Sequence, residues 1–425
     1  MHYNVITVHS DLLYVYKLFV YPVKSLRGCS VSSATLTAQG LAYDRKYMLV
    51  RVRPAPTTGN DASDGGELKL PDPPGASYVY ESLYVGNVDA LCLFSTCLQP
   101  TDEAPEIIKV TYNHPTSRVA NGGGDNAGDV AVEGPSVEIP IAAAFGELEK
   151  LEVNLHESRC VGYDMGDEYE AFFTEWLGFP TKLVYIGDST REVLGNVAPN
   201  RVHVTRESTT PGGAWWWPFP SLFNLLAAYL TAWWWASNDT TDTLGEKEEY
   251  RIHFSDCAPL LVTSQTSLVE LNAGRRPEDK QEVPLDITKM RPNVVVAPTT
   301  AGEVTAFEED YWSELAVRDG QGHRDDVQRI LLTANCGRCK SLNVDYATGK
   351  QVPIGQQMLK RLADLKRKVD PGHGYAPIFG RYGFIGRDSL GGTVRVGDVV
   401  DIAKRNDERT VFFWPSLSAG TKLKK

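Results

Sequence analysis

At 425 residues the chain exceeds the usual size of one domain, so two domains are the starting expectation. Its composition, 42% apolar and 23% charged, is that of a folded soluble protein, and a net charge of −11 excludes a nucleic-acid binder built on a basic face. Seven cysteines are too few and odd in number for a disulfide scaffold, which argues for a reducing, intracellular setting and against secretion.

In chain order, the apolar run from Leu12 to Val23 has no basic region before it and is interrupted by Lys17. It reads as a strand, not as a signal sequence or a membrane span. Val31 to Leu36 and Lys46 to Val52 are similar strand candidates. Pro54 to Ser77 and Asn113 to Ser136 are rich in Pro, Gly and Asp and read as long surface inserts, with room for several strands between them from Tyr78 to Tyr112. Asp167 to Leu177 predicts a helix, capped by Asp167, striped by Phe172, Phe173, Trp176 and Leu177, and stopped by Gly178. A second helix is expected from Ser264 to Gly274 through Leu268 and Leu271, and a third over Gln356 to Lys368. Val394, Val396, Val400 and Ile402 around Gly397-Asp398 predict a hairpin. Short strands with few helices favour a mainly β, α+β protein built on barrels.

One segment stands apart. Trp215 to Trp235 is almost wholly apolar, with three tryptophans at each end, and a helix of that length would be about 31 Å long. Pro218 and Pro220 spoil its first turns, so the expectation is not a span but peripheral membrane contact through 215–235 or an insert packed on the protein's own surface.

The chain has no phosphate-binding GxxxxGK[ST], no HExxH and no GxSxG, and its eight histidines show no pair at metal-ligand spacing. Cys336-Gly337-Arg338-Cys339 is a CxxC without the second pair a zinc site needs. On spacing alone, the two cysteines could be metal or redox groups or inert buried thiols. Arg338 favours the former, because a guanidinium stabilises a neighbouring thiolate.

Five motifs in order carry a resemblance. They are Tyr21-Pro22-Val23-Lys24-Ser25 with Asp44-Arg45; Ser255-Asp256 with Pro259-Leu260-Leu261; Arg291-Pro292-Asn293; Arg338-Cys339 with Val344-Asp345 and Thr348-Gly349; and Pro377 to Tyr382 with Val396-Gly397-Asp398. Together they resemble the MOSC family, nearest in pattern to its amidoxime-reducing members, mitochondrial and bacterial. The resemblance implies a MOSC N-terminal β-barrel domain (13–188), a linker carrying the tryptophan-rich insert (189–249), a MOSC β-barrel domain (250–403) and a tail (404–425). A cofactor cleft is expected between the two barrels.

The same resemblance implies a molybdenum cofactor, Mo-molybdopterin, with Cys339 as the metal ligand and catalytic residue and Cys336 as a bystander. Lys24, Arg45, Arg291 and Arg338 suit its phosphate and carbonyl oxygens. Ser25 and Asn293 could donate to phosphate or pterin edges, and Asp256, beside Ser255, could accept from pterin N–H groups. Gly337 belongs to the same loop, and Tyr382 falls where the family has a tyrosine near the cofactor. Reduction of N-hydroxylated compounds, amidoximes among them, is the implied activity. The electrons would come from a separate NADH-dependent flavin reductase, with or without a cytochrome b5-type carrier, since the chain has no flavin, haem or zinc motif. Such members work in the cytoplasm or at the mitochondrial outer membrane. A non-enzymatic carrier of persulfide sulfur or of molybdenum cofactor is the alternative; pyridoxal phosphate is not expected.

The sequence departs from the family pattern in three places. Cys257 and Ala258 replace small hydroxyl residues after Asp256, which would remove two cofactor hydrogen bonds or leave them to the backbone. The Gln-Arg stretch after the third strand is absent, and Pro211 to Lys247 is inserted before Ser255.

Overall fold

The computed structural model describes residues 13–55, 78–115, 134–201, 249–273, 285–300, 302, 304–321, 326–374 and 376–418. The Trp215 to Trp235 segment and most of the two polar inserts lie outside them.

The C-terminal half is a closed seven-stranded barrel. Around it run Val294–Pro298, Leu260–Ser264, Ile378–Ile385, Gln328–Gly337, Trp312–Arg318, Val399–Arg405 and, closing the circle, Leu13–Val20. The closing strand comes from the other end of the chain and pairs antiparallel on both sides, Leu18 with Val294 and Leu13 with Val400. Only Leu260–Ser264 and Val294–Pro298 run parallel. A parallel pair needs a crossover, and the chain supplies the helix Gln265–Ala273 there. Alternation then explains the apolar run at Val294: Val294 and Val296 face the barrel interior, while Val295 packs under the crossover with Leu268, Leu271 and Phe379.

The N-terminal half is an antiparallel five-stranded sheet, in the order Lys150–Leu155, Ser158–Asp164, Thr181–Tyr185, Tyr47–Pro54, Tyr78–Ser82. It curls until its edges approach, Ser82 Oγ donating to Asn154 O at 2.8 Å. A three-stranded sheet, Phe94–Gln99, Ile107–Tyr112 and Ser136–Pro140, packs beside it. Both sheets share one apolar core with the C-terminal barrel, from Leu49 and Phe94 to Leu315 and Leu332. The mainly β architecture expected from the sequence is what the chain adopts.

The helix Asp167–Leu177 forms where expected, with three acidic residues in its first turn and Gly178 at φ 76° ending it. Its cap is Gly166, however, and Asp167 is already inside the helix with no side-chain capping bond. The third helix is shorter than its periodicity suggests, Met358–Asp364. The hairpin expected at Gly397 is not one. Gly397 turns the chain at φ 91°, but Thr393–Arg395 pairs with Ser33–Thr37 and Val399–Arg405 pairs with Trp312–Arg318. The turn passes the chain from one sheet to another, which alternating valines cannot reveal.

Candidate functional site

A cavity of about 350 Å³ opens between the N-terminal half and the mouth of the barrel. Its basic wall starts with Lys24, in the turn after the first strand, whose Nζ pairs with Asp256. Lys24 is buried, and burial lowers its pKa more than Asp256 restores it. Asp256 has the opposite balance. Burial would raise its pKa, but Lys24 and His156 hold it well below the ordinary value. Its side chain is 57% exposed to the cleft, which suits a carboxylate that stays ionised.

Arg45 and Arg291 share one aromatic platform: their guanidiniums lie 4.9 Å and 4.4 Å from the ring centre of Tyr21. Arg45 is pinned by Asp44 and by Asn293 Oδ1 at 3.1 Å. Burial works against its charge, and Asp44 more than offsets that, raising its pKa. Arg291 has no such anchor. Nη1 donates to Leu26 O at 2.6 Å, Nη2 is buried without a partner, and burial lowers its pKa.

Asn293 is a joint. Its oxygen accepts from Leu261 N (3.1 Å) and Arg45, and its amide nitrogen donates to Asp44 (3.0 Å) and Phe19 O (3.3 Å). All four of its positions are taken, so it positions Arg45 and has no donor left for the cavity.

The thiol wall is the end of the barrel strand Gln328–Gly337 and the turn beyond it. Cys336 is buried and accepts from Arg338 Nη1 at 2.9 Å. Cys339, three residues on, is exposed, its Sγ 3.1 Å from Ser341 Oγ. Arg338 also donates through Nη2 to Met290 O (2.9 Å), while its Nε is buried and unpaired. Burial alone would lower the Arg338 pKa, and the two thiols beside it raise it instead. Gly337 is required to be small: a Cβ there would stand 2.3 Å from the His373 ring, which accepts the Gly337 N–H at 3.1 Å and stacks on Phe412 at 4.1 Å. Tyr382 closes this side, its pKa raised well above the ordinary value by burial and by Cys336, so its hydroxyl stays protonated.

Ten of the eleven residues singled out from the sequence therefore line one cavity: Lys24, Ser25, Arg45, Asp256, Arg291, Asn293, Gly337, Arg338, Cys339 and Tyr382. Ser255 does not. It is buried beneath the cavity, with Oγ unpartnered. Cys257 is buried too, its thiol pushed well above its usual pKa by burial, and Ala258 reaches the cavity with nothing to donate. Sequence reasoning missed His156 and Tyr84, which line the cavity from the N-terminal half, and His373 behind Gly337. No spacing marks them.

A further signal appears only in the backbone. Of nine non-glycine residues with positive φ among those described, Ser25 (71°), Arg45 (50°), His156 (55°) and Arg291 (56°) line this cavity. Left-handed backbone costs about 1–2 kcal/mol per L-residue, and such strain clusters at functional sites.

Residues 249–401 match the MOSC domain, and residues 12–58 match the MOSC N-terminal beta barrel domain. In these two stretches the chain is similar to the MOSC family. It is 32% identical over 156 residues to mitochondrial amidoxime reducing component 2 of Rattus norvegicus, 36% of this chain and 39% of that protein. With mitochondrial amidoxime-reducing component 1 of Homo sapiens the figures are 31% over 154 residues, 35% and 38%. The match to molybdenum cofactor sulfurase of Oryza sativa subsp. japonica is weaker, 21%, but longer: 363 residues, 84% of this chain and 31% of that protein. The chain thus spans about two fifths of the length of the amidoxime-reducing relatives it matches and a third of the sulfurase. Among the described residues no three His, Cys, Asp or Glu side chains gather as a metal cage, and no helix is long and apolar enough to cross a membrane.

Proposed function

We propose that the protein binds a molybdenum cofactor in this cavity, with Cys339 as the protein's sulfur ligand, and reduces N-hydroxylated compounds such as amidoximes. The observation that carries the reading is an open thiol facing a cavity lined by four cations, two of which keep buried N–H groups unpaired. A buried donor left unmade costs roughly 1–3 kcal/mol. Arg291 and Arg338 therefore fit an anionic partner with phosphate and polar heterocycle edges, and the single thiolate fits a soft metal whose other sulfur ligands come with the group. Lys24, Arg45 and Arg291 would hold the phosphate end, Arg338 and Tyr382 the edge nearest Cys339, and Asp256 would accept pterin N–H groups. When bound, the group supplies the electron pair that N–O cleavage requires. The relatives named for amidoxime reduction support this assignment.

The chain's own residues shape the remainder. Burial of Cys336 beneath Arg338 leaves Cys339 as the accessible sulfur, and Leu260, Leu261 and Leu417 give the cavity an apolar side for a small organic substrate. Electrons would enter from a separate NADH-dependent flavin reductase, directly or through a cytochrome b5-type carrier. Peripheral membrane attachment through 215–235, at the mitochondrial outer membrane or another cytoplasmic face, belongs to the same reading. Deletion of that segment should abolish liposome co-sedimentation.

Protein from a cofactor-competent host should contain near-stoichiometric molybdenum and pterin and reduce benzamidoxime to benzamidine with a chemical reductant. Cys339→Ala should lose more than about a hundredfold in turnover, beyond the loss typical of groups one shell out, and Cys336→Ala should keep its molybdenum. An active Cys339→Ala variant would sink the assignment. The longer match to molybdenum cofactor sulfurase favours a second reading, a carrier of sulfur or cofactor. Absence of turnover together with a transferable persulfide on Cys339 would decide for it.

A further inference from the structure

His156 occupies a position that a hairpin tip does not ordinarily need. The strands Lys150–Leu155 and Ser158–Asp164 are joined by a two-residue turn, His156-Glu157, with φ of 55° and 64°. Such a turn prefers Asn-Gly, because both residues are left-handed. Here a histidine takes the strained place, and the turn is fastened from two sides. Trp414 Nε1 donates to His156 O at 2.8 Å. Arg191, wholly buried, donates to Leu155 O at 3.0 Å, to His253 O at 2.9 Å, to Ser255 O and to Asp256 O at 3.3 Å. Its guanidinium has no carboxylate in hydrogen-bonding contact, and burial lowers its pKa to about 10. A buried charge held only by carbonyls is a costly joint. This one ties the hairpin tip to the neighbouring Ser255-Asp256 segment.

The result is a short chain of polar groups along the cavity wall: His156 Nε2 stands 3.5 Å from Asp256 Oδ1, which pairs with Lys24. Tyr84 lies beside the imidazole, ring centres 6.2 Å apart, and Glu157 follows it in the turn. Among the described residues, Asp256 and Tyr84 are the titratable groups in contact with the imidazole, with Lys24, Glu157 and Arg191 around them.

We infer that His156 is the substrate-facing proton donor of the reduction, oriented by Asp256, and that Arg191 is the positioning residue that sets the two side by side. The inference rests on the proposed reduction of N-hydroxylated compounds. In that reaction an amidoxime, two electrons and two protons give an amidine and water. The N–O bond breaks, the nitrogen keeps the electron pair and takes one proton, and the oxygen leaves as water with its own proton and a second one. Two equivalents of a one-electron reductant such as reduced viologen supply the electrons. His156 gives the oxygen its proton as the N–O bond breaks, and solvent entering the cavity restores it. Imidazole is the side chain best suited to that exchange near neutral pH.

His156→Asn tests this without endangering the fold, since asparagine accepts left-handed backbone better than histidine does. With benzamidoxime and reduced viologen, kcat/KM of His156→Asn should fall about a hundredfold or more, at unchanged molybdenum and pterin content. The alkaline fall of the parent's pH profile should disappear. Arg191→Met should show a smaller fall with that alkaline limb kept. In the cofactor-free protein it should also shift the His156 imidazole NMR resonances. An unchanged pH profile in a loaded His156→Asn variant overturns the inference while leaving the reduction standing. A loaded parent that reduces no N-hydroxylated probe overturns both.

Discussion

Two groups of arginines are completed differently. Behind the barrel, Arg367 and Arg409 bind the fully buried carboxylate of Asp310 at 2.6 Å and 2.8 Å, and Arg381 reaches Asn335 Oδ1 at 2.9 Å and the Asp310 carbonyl. In the cleft, among the described residues, Arg291 and Arg338 donate only to backbone carbonyls and a thiol, and each keeps a buried nitrogen unpaired. The first group gathers on the chain's own anion, although Arg381 too keeps its Nε buried and unpaired. The second has no carboxylate of its own and lies against a cavity. The comparison teaches that burial of a cation does not mark a binding site; burial without an internal carboxylate, beside a space, does.

That distinction can be broken by mutation. The largest expected effect is at Asp310. Removing it strands its arginines, so Asp310→Ala should cost about 3–5 kcal/mol in urea unfolding of the cofactor-free protein. A loss below about 1 kcal/mol would erase the contrast.

Glu309, fully buried beside Asp310, sharpens it through pH. Burial, and then Asp310, raise its pKa to about 7, and its Oε1 has no partner. The folded state therefore holds this proton more tightly than the unfolded chain. Its contribution is complete at low pH and is lost as pH climbs from the ordinary value of 4.5 through about 7. By linkage the loss is roughly 3 kcal/mol. Glu309→Gln should flatten that part of the stability profile and raise the melting temperature at pH 8; a profile parallel to the parent's would contradict the burial of the charge.

The smallest effect on folding belongs to the cleft. Arg291→Met should leave the stability of the cofactor-free protein within about 1 kcal/mol, because the charge it removes has no carboxylate to strand. Its cofactor affinity should fall tenfold or more, since a charge-assisted contact is worth about 1.5–3 kcal/mol. Equal pterin content in parent and variant would remove Arg291 from the site.

Much of this cleft was legible before folding. Lys24, Arg45, Arg291 and Cys339 fall in short motifs whose order survives any insert between them, and the structure gathers them from turns at strand ends. The strands were legible for a related reason: β-branched and aromatic residues are local signals, and Lys46 to Val52, read as a strand, forms Tyr47–Pro54. What failed was also local in kind. The valines around Gly397 alternate as a hairpin would, yet their partners lie in two different sheets.

By itself the sequence determined which residue types meet at the site and that the scaffold is mainly β, because motif chemistry and strand periodicity are properties of neighbouring residues. The tertiary structure alone decided which cysteine of the CxxC is open. It also decided that the first strand closes the last barrel, that Asn293 is a joint, and that a hairpin tip carries His156 to Asp256. Each of those depends on burial or on pairing between segments up to several hundred residues apart, and burial and long-range pairing are set by the whole packed chain, not by any stretch of it.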